Sequence, residues 1–282
     1  KMKLKISFVA VMIFAAAVLA QKSNPILLKV AYMESNDISA QIYNDGLING
    51  PFYGGPSIEM QSNELVPVVG VQVPIADYDG NGIPDTIYSS IISRGNRQGQ
   101  FEERNQITNR FWGFNPVPGY LVPESVQFAV SDDYNSWPNL WPDHPEYGSN
   151  VWNSFLGAGL FFTKESFFVM NDSEDEEFYI NHGFLPNPAD TNIKGVGITV
   201  KVRYIQQNNP YYKNILFRVY EITNNSIYNY ENVFLGFIQG GVAGGGTSTT
   251  QEIVNFDGGT NCVYVKDIDN LGEIWNKVGI MG

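Results

Sequence analysis

A two-residue alternation of apolar and polar side chains is the feature that most restricts the fold of this chain. It is longest in GVGITVKVRYIQQ (195–207) and returns in ILFRVYEITNNS (215–226) and YENVFLGFIQGG (230–241). A period of two places successive side chains on opposite faces of a strand, whereas an amphipathic helix needs a period of 3.6. We therefore expect these three segments to form an antiparallel meander with one buried face.

Shorter segments of the same kind occur along the rest of the chain, separated by Gly, Pro, Asn and Ser. The segment 38–50 contains Asn44, Asp45 and Gly46, a turn sequence that favours a hairpin. We expect Pro67 to restrict its segment to an edge strand or a bulge, and we expect the same of Pro74. Further strands are predicted at 25–33, 64–77, 86–93, 125–133, 159–172, 261–269 and 275–282.

Long helical periodicity is nearly absent after residue 21, and this absence decides the predicted fold class. The pattern predicts an all-β fold, an antiparallel β-sandwich or jelly-roll-like body with long loops. No internal repeat of solenoid or propeller period is visible.

The first 20 residues have the pattern of a cleaved export signal. Three lysines within the first five residues precede an apolar run at 6–19, and Val18 and Ala20 occupy the −3 and −1 places of a cleavage site. That run is shorter than the roughly 20 apolar residues that cross a bilayer. We therefore expect a signal peptide at 1–20, a β-rich sandwich domain at 21–282, and no membrane span after cleavage. Residues 273–282 are apolar and strand-like, so either Ile280 and Met281 close a final strand or the sequence is a fragment of a longer chain. We favour the second alternative and expect the domain to be truncated there.

The net charge restricts the partners of the chain. It is −12 at pH 7, with an isoelectric point near 4.6. Nucleic acids need a basic surface, and so does electrostatic docking on anionic lipid, so the net charge argues against both kinds of partner. An acidic surface suits a secreted or outer-surface protein and suits divalent cations. The chain has one cysteine, Cys262, so no disulfide can form within it.

The acidic stretch IADYDGNGIPDT (75–86) has the oxygen spacing of a calcium-binding loop. Counted from Asp77, side-chain oxygens fall at places 1, 3, 5 and 9, glycine stands at place 6, and a backbone carbonyl is available at place 7. The predicted calcium ligands are Asp77, Asp79, Asn81, Ile83 and Asp85.

This loop departs from the EF-hand pattern at place 12, where Tyr88 replaces the bidentate glutamate. It also lies between predicted strands, so it resembles the aspartate-rich loops of extracellular bacterial modules such as dockerin or thrombospondin type-3 repeats. The alternative is a solvated Asp/Asn/Gly turn whose side chains bond their own backbone. A second acidic stretch, NDSEDEEF (171–178), has no ligand spacing, and we expect a solvated turn there.

The long loop NSWPNLWPDHPEYGSNVW (135–152) is rich in aromatic residues and allows two interpretations. Trp137, Trp141 and Trp152 could stack on sugar rings. Alternatively, they pack the loop onto the body of the protein.

Catalytic motifs are sparse in the sequence. His144 and His182 lie in predicted loops without metal-ligand spacing, and no H-E-x-x-H or G-x-S-x-G motif is present. A glycosidase requires only two carboxylates, which a single sequence cannot select. Four residues are candidates on that alternative: Asp132, Asp133, Glu165 and Asp172.

Several motifs in the second half follow one another in this order: SWPNLWPD, ESFFVMNDSEDEEF, GVGITVKVRYIQ, LFRVYEITNNS, YENVFLGF and VGIMG. The chain resembles a group of uncharacterised secreted proteins of Bacteroidetes- and Ignavibacteria-type bacteria, over residues 36–282. Members often carry a C-terminal type IX secretion sorting domain. The resemblance implies export or display on the cell surface, and it transfers no catalytic residues.

The sequence therefore predicts an exported or cell-surface protein with a non-enzymatic structural, adhesive or glycan-contacting role, and it predicts calcium as a stabilising ion. The alternative is a secreted hydrolase that acts on polysaccharide through paired carboxylates.

Overall fold

The computed structural model describes residues 27–53, 62–75, 77, 79–93, 107, 111–241, 252–267 and 277–281. The predicted signal peptide at 1–20 lies outside these residues. The strands are β1 (Val30–Met33), β2 (Ile38–Tyr43), β3 (Ile48–Tyr53), β4 (Ser62–Pro74), β5 (Thr86–Ile92), β6 (Asn115–Pro116), β7 (Asn153–Ser154), β8 (Gly157–Ala158), β9 (Lys164–Asn171), β10 (Ile198–Gln206), β11 (Phe217–Asn224), β12 (Val233–Gly241), β13 (Glu252–Asp257), β14 (Cys262–Asp267) and β15 (Lys277–Met281).

Helical structure is short in the described part of the chain. One α-helix, α1, spans Glu177–His182, and 3₁₀ turns η1, η2 and η3 span Pro118–Tyr120, Tyr134–Ser136 and Pro145–Tyr147. No helix among the described residues combines the length and the apolar character needed to cross a membrane. Paired strands therefore dominate, and the fold is all-β as predicted.

The first sheet has the order β1-β2-β3-β4-β12, and β5 also pairs with β4. The predicted hairpin is confirmed: β2 and β3 are antiparallel and are joined by the turn at 44–47. Gly46 has φ +99° in this turn, a left-handed conformation that glycine adopts without a steric cost.

The second sheet has the order β11-β10-β9-β6, with antiparallel pairs throughout. The predicted meander of three strands is confirmed for β10 and β11, which pair from Ile198↔Asn224 to Ile205↔Phe217. It is wrong for β12, which pairs with β4 of the first sheet. The third member of the meander is β9, which precedes β10. The segment between β11 and β12 crosses from one sheet to the other.

The two sheets pack against each other across one hydrophobic core. The first sheet contributes buried residues such as Met33, Ile42 and Val71, and the second contributes residues such as Phe168 and Val202. These side chains form a single cluster, which gives the body its sandwich character.

A second core lies on the other face of β9 and β10. Phe167 and Val169 of β9 point to this face and pack with Trp137, Trp141 and Trp152 from the long loop. Both faces of β9 and β10 are therefore covered, one by the first sheet and one by the loop.

Two strand predictions are corrected by the structure. β4 is an interior strand, and Pro67 lies within it, paired with Phe237 of β12. On its other edge β4 pairs with β3 at Leu65 and with β5 from Val68 onward. Pro67 lies between these two positions, where the neighbouring strand changes. That change allows proline inside a sheet. Residues 125–133 form bends and turns, with isolated bridges at Val130. Their apolar side chains enter the cores from this loop, which explains why the segment resembles a strand in the sequence.

Two smaller sheets complete the described structure. β7 and β8 form a short hairpin, and β13, β14 and β15 form an antiparallel sheet of their own. β14 and β15 correspond to predicted strands, whereas β13 was not predicted.

Candidate metal centre

The predicted calcium loop forms the turn of the β4–β5 hairpin. Its flanking residues Pro74 and Thr86 are paired across the hairpin. The backbone N–H of Ile75 donates to the carbonyl oxygen of Asp85 at 2.8 Å and closes the base of the loop. The ladder between the strands therefore fixes both ends of the acidic segment.

Backbone amides of the loop surround the carboxylate of Asp77. Its Oδ1 accepts from Gly80 N at 2.7 Å and from Asn81 N at 3.1 Å, and its Oδ2 accepts from Gly82 N at 2.7 Å. The N–H of Gly82 is the main reason that the pKa of Asp77 lies below its ordinary value, and the N–H groups of Gly80 and Asn81 add to this effect. Asp77 therefore stays ionised into mildly acidic solution, in the form that a cation binds.

The next two oxygen-bearing side chains continue this arrangement. Asp79 Oδ1 accepts from the backbone N–H of Asn81 at 3.1 Å, and Asp79 Oδ2 accepts from Asn81 Nδ2 at 2.8 Å. Asn81 Oδ1 accepts from the backbone N–H of Ile83 at 2.8 Å. These are the side-chain-to-backbone bonds of the solvated-turn alternative. They leave room for a cation as well, because one carboxylate offers about four lone-pair positions.

Three carboxylates converge in the loop. Carboxylate oxygens of Asp77, Asp79 and Asp85 lie within 4.8 Å of one another. Two oxygens that bind the same calcium ion at 2.3–2.6 Å can be at most about 5 Å apart. The three groups are therefore close enough to share one ion. They are three of the five ligands predicted from the sequence.

The ligand set is incomplete for an EF-hand. Tyr88, at place 12, lies in β5 opposite Gln72, and its side chain is exposed. Calcium takes six to eight oxygens, so water would supply part of the shell. An arrangement of this kind could bind the ion weakly.

Comparisons with protein-family models, curated proteins and solved structures found no match.

The three tryptophans of the long loop are buried. Trp137, Trp141 and Trp152 are 4%, 0% and 1% exposed, and the centroid of Trp152 lies 5.3 Å from that of Trp137 and 5.4 Å from that of Trp141. A ring without an exposed face cannot stack on a sugar. The glycan-stacking interpretation is therefore corrected in favour of the packing alternative, in which the aromatic rings hold the loop on the sheet.

A buried ion pair lies next to these tryptophans. Arg203 Nη1 of β10 is 3.0 Å from Glu165 Oε1 of β9. Glu165 Oε2 accepts from Trp152 Nε1 at 2.9 Å and from Ser154 Oγ at 2.6 Å, and Glu165 Oε1 also accepts from the backbone N–H of Phe155 at 2.8 Å. The carboxylate thus joins the sheet to the end of the loop.

Arg203 completes the same network. It donates to the carbonyl oxygen of Asn153 at 2.5 Å, and its guanidinium lies 3.8 Å from the centroid of Phe167. Burial lowers the pKa of Arg203, and the charge of Glu165 opposes this shift. The pair is a structural connection between two layers.

The acidic turn at 171–178 differs from its prediction at two positions. Asp172 and Asp175 are 1% and 0% exposed, so the expectation of a solvated turn is wrong for them. The carboxylate of Asp172 accepts a hydrogen bond from the backbone N–H of Val196 at 2.5 Å. The carboxylate of Asp175 accepts one from the backbone N–H of Gly113 at 2.7 Å. These hydrogen bonds replace those that water would make to an exposed carboxylate.

The four carboxylates of the hydrolase alternative all have partners within the fold. Asp132 pairs with Lys164 at 2.9 Å. Asp133 accepts from Gln127 Nε2 at 2.7 Å and from the backbone N–H of Asn135 at 3.0 Å. Glu165 and Asp172 are buried in the networks described above.

Sequence reasoning missed the Arg203–Glu165 pair and the burial of Asp172 and Asp175. A signal was available for three of these residues: Glu165 and Arg203 lie inside apolar strands, and Asp172 directly follows one. Alternation alone assigns Arg203 to a solvent face, because it does not reveal that a loop covers that face.

Proposed function

We propose that this chain is an exported or cell-surface β-sandwich scaffold with a non-enzymatic structural or adhesive role, stabilised by calcium at the 77–85 loop. The observation that carries the proposal is the convergence of Asp77, Asp79 and Asp85, whose carboxylate oxygens lie within 4.8 Å of one another. The ion would reduce the repulsion among these charges and join residues at both ends of the loop.

The cellular location rests on the sequence. The export-signal pattern at 1–20, the net charge of −12 and the likeness to secreted proteins of Bacteroidetes- and Ignavibacteria-type bacteria support it. Weak calcium sites are useful outside cells, where modules with dissociation constants of about 10⁻⁴ to 10⁻³ M occur. The likeness also makes the type IX route our proposed export pathway.

The scaffold role is supported by the hydrogen bonds that the candidate catalytic carboxylates make within the fold. Glu165 is 1% exposed and both of its oxygens accept hydrogen bonds from the fold. A carboxylate that is saturated in this way holds the long loop in place.

Calorimetric titration of calcium into the full chain tests the metal site. We expect binding with a dissociation constant of roughly 10⁻⁴ to 10⁻³ M, and loss of the heat in Asp79→Ala, which removes one converging carboxylate. Asp190→Asn, outside the loop, is the matched control and keeps the heat. Absence of heat in the unaltered chain, or an unchanged titration in Asp79→Ala, would refute the site.

A polysaccharide hydrolysis screen tests the proposal that the role of the chain is non-enzymatic. We expect no release of reducing sugar by the full chain. Release that disappears in Asp132→Asn or Asp133→Asn would contradict the scaffold role.

A further inference from the structure

Strand β12 has the sequence of an interior strand but lies at the edge of the first sheet. Its residues 233–238 read VFLGFI, a continuous apolar run of the kind found in strands that are buried on both faces. One edge of β12 pairs with β4, and no described strand pairs with the other edge. The backbone N–H and C=O groups on that other edge therefore have no ladder partner in the described part of the chain.

Both faces of β12 are incompletely covered as well. Five apolar side chains are between 36% and 59% exposed: Val233, Phe234, Leu235, Phe237 and Ile238. The residues of β4 opposite them are buried, since Val71 pairs with Val233, Val69 pairs with Leu235, and each of these two β4 valines is 1% exposed. The sheet is therefore well covered up to β4 and open at β12.

Strand β11 of the second sheet covers the inner face of β12 at one position. The ring centroid of Tyr220 lies 5.5 Å from that of Phe237, and the guanidinium of Arg218 lies 4.7 Å from the same centroid. Val233 and Leu235, on the same face of β12, remain 44% and 43% exposed. A further strand beside β12 would cover these side chains and pair with the open backbone edge at the same time.

The edge of β12 lacks the features that usually prevent pairing with another chain, which are lysine, proline and bulges. The strand contains no charged residue and no proline, and its one register shift lies at its end, at Gly240/Gly241. Two copies of a chain with a net charge of −12 repel each other in general. Along this edge they would meet without opposed like charges.

We propose that β12 pairs antiparallel with β12 of a second copy of this chain, which forms a symmetric dimer with one continuous sheet. A two-fold axis perpendicular to the sheet keeps the inner faces of both copies on the same side, so paired residues must lie on the same face. The register centred on Gly236 places Leu235 opposite Phe237 of the second copy, and Phe234 opposite Ile238. Large apolar side chains then meet on both faces. The interface is separate from the 77–85 loop and does not depend on calcium.

The exposed area of β12 sets the strength of this dimer. With about 200 Å² for an aromatic side chain and slightly less for an aliphatic one, the exposed fractions amount to about 400 Å² per copy. The pair would bury about 800 Å² from these side chains, and the paired backbone adds to this area, against the roughly 1,200–2,000 Å² of specific interfaces. We therefore expect a weak dimer, with a dissociation constant of roughly 10⁻⁵ to 10⁻⁴ M.

Sedimentation equilibrium of the full chain tests the dimer. We expect the mass to rise from 31.5 kDa toward twice that value as the concentration approaches about 0.5 mM. In Phe234→Lys we expect the dissociation constant to rise at least about tenfold, because the lysine would lie opposite Ile238 of the second copy. Phe256→Lys is the matched control: Phe256 is 64% exposed on β13, which is also an edge strand, and this variant keeps the dimer.

Disulfide cross-linking tests the register. A Cβ atom at Gly236 would meet no atom within 4 Å, so a cysteine fits there. On the axis the two cysteines would face each other with Cβ atoms about 4.5–5.5 Å apart, close to the spacing of a disulfide. With Cys262→Ser to remove the native thiol, we expect Gly236→Cys to form a covalent dimer under mild oxidation. Thr223→Cys, on exposed β11, is the control and stays monomeric.

Three outcomes would overturn the proposal. One is a mass that stays at 31.5 kDa over the whole concentration range. Another is a dimer that Phe234→Lys leaves unchanged, or that Phe256→Lys weakens as much, because association would then use another surface. The third is the absence of a covalent dimer in Gly236→Cys, which also decides the question if Phe234→Lys does not fold.

Discussion

At the scale of single residues, Arg203 and Glu165 are charges placed where the fold excludes water. They are 6% and 1% exposed and lie 3.0 Å apart. A buried pair of this kind stabilises a fold little when it is compared with an apolar replacement, but the loss of one partner leaves the other unpaired. The pair therefore holds the end of the long loop in one position on the second sheet.

Replacing one member of the pair tests this interpretation. We expect Arg203→Ala to lower the free energy of unfolding by about 3–5 kcal/mol, because Glu165 would remain buried without its counter-charge. Urea denaturation measures the change. Lys213→Ala is the control, because its partner Asp37 lies 2.7 Å away in a pair that is largely exposed. We expect a loss of no more than about 1 kcal/mol there. Equal losses in the two variants would be inconsistent with a buried network.

At the scale of secondary-structure elements, alternation predicted strands better than it predicted their partners. The hairpin of β2 and β3 could be predicted because Asn44, Asp45 and Gly46 determine a local turn. The pairing of β12 with β4 joins residues more than 160 positions apart and leaves no local signal.

The same limit applies to the candidate sites. The convergence of Asp77, Asp79 and Asp85 could be predicted because these residues lie within nine positions of one another, so spacing alone brings their carboxylates together. The surroundings of Asp172 and Arg203 could not, since segments distant in the sequence cover them. The burial of the three tryptophans follows from the layer that the loop adds to the second sheet.

The turn between β2 and β3 gives a prediction at this scale. Gly46 has φ +99°, and a Cβ atom there would lie 2.8 Å from Pro67 Cγ. We expect Gly46→Ala to lose about 1–2 kcal/mol from backbone strain and about 1–3 kcal/mol from the clash, in urea denaturation. Gly157→Ala is the control, since Gly157 has φ +110° with no atom within 4 Å of the added Cβ. A loss in Gly157→Ala as large as that in Gly46→Ala would exclude a role for the clash.

At the scale of the whole molecule, two sheets, a loop layer and an acidic hairpin turn are combined in a chain with a net charge of −12. Its only cysteine cannot form an internal disulfide. In the described part of the chain, stability comes from the two cores and, in our proposal, from a cation bound at the turn. Binding to the folded state alone stabilises it by mass action.

Thermal unfolding of the full chain in calcium and in chelator tests most directly whether calcium bound at 77–85 stabilises the scaffold. With about 10 mM calcium and a dissociation constant near 10⁻³ M, we expect the midpoint to rise by about 3–6 °C. Magnesium should not reproduce this rise, because it prefers a rigid shell of six ligands and retains its water. In Asp77→Asn we expect the rise to disappear. An equal midpoint in calcium and in chelator, or an undiminished rise in Asp77→Asn, would contradict the account.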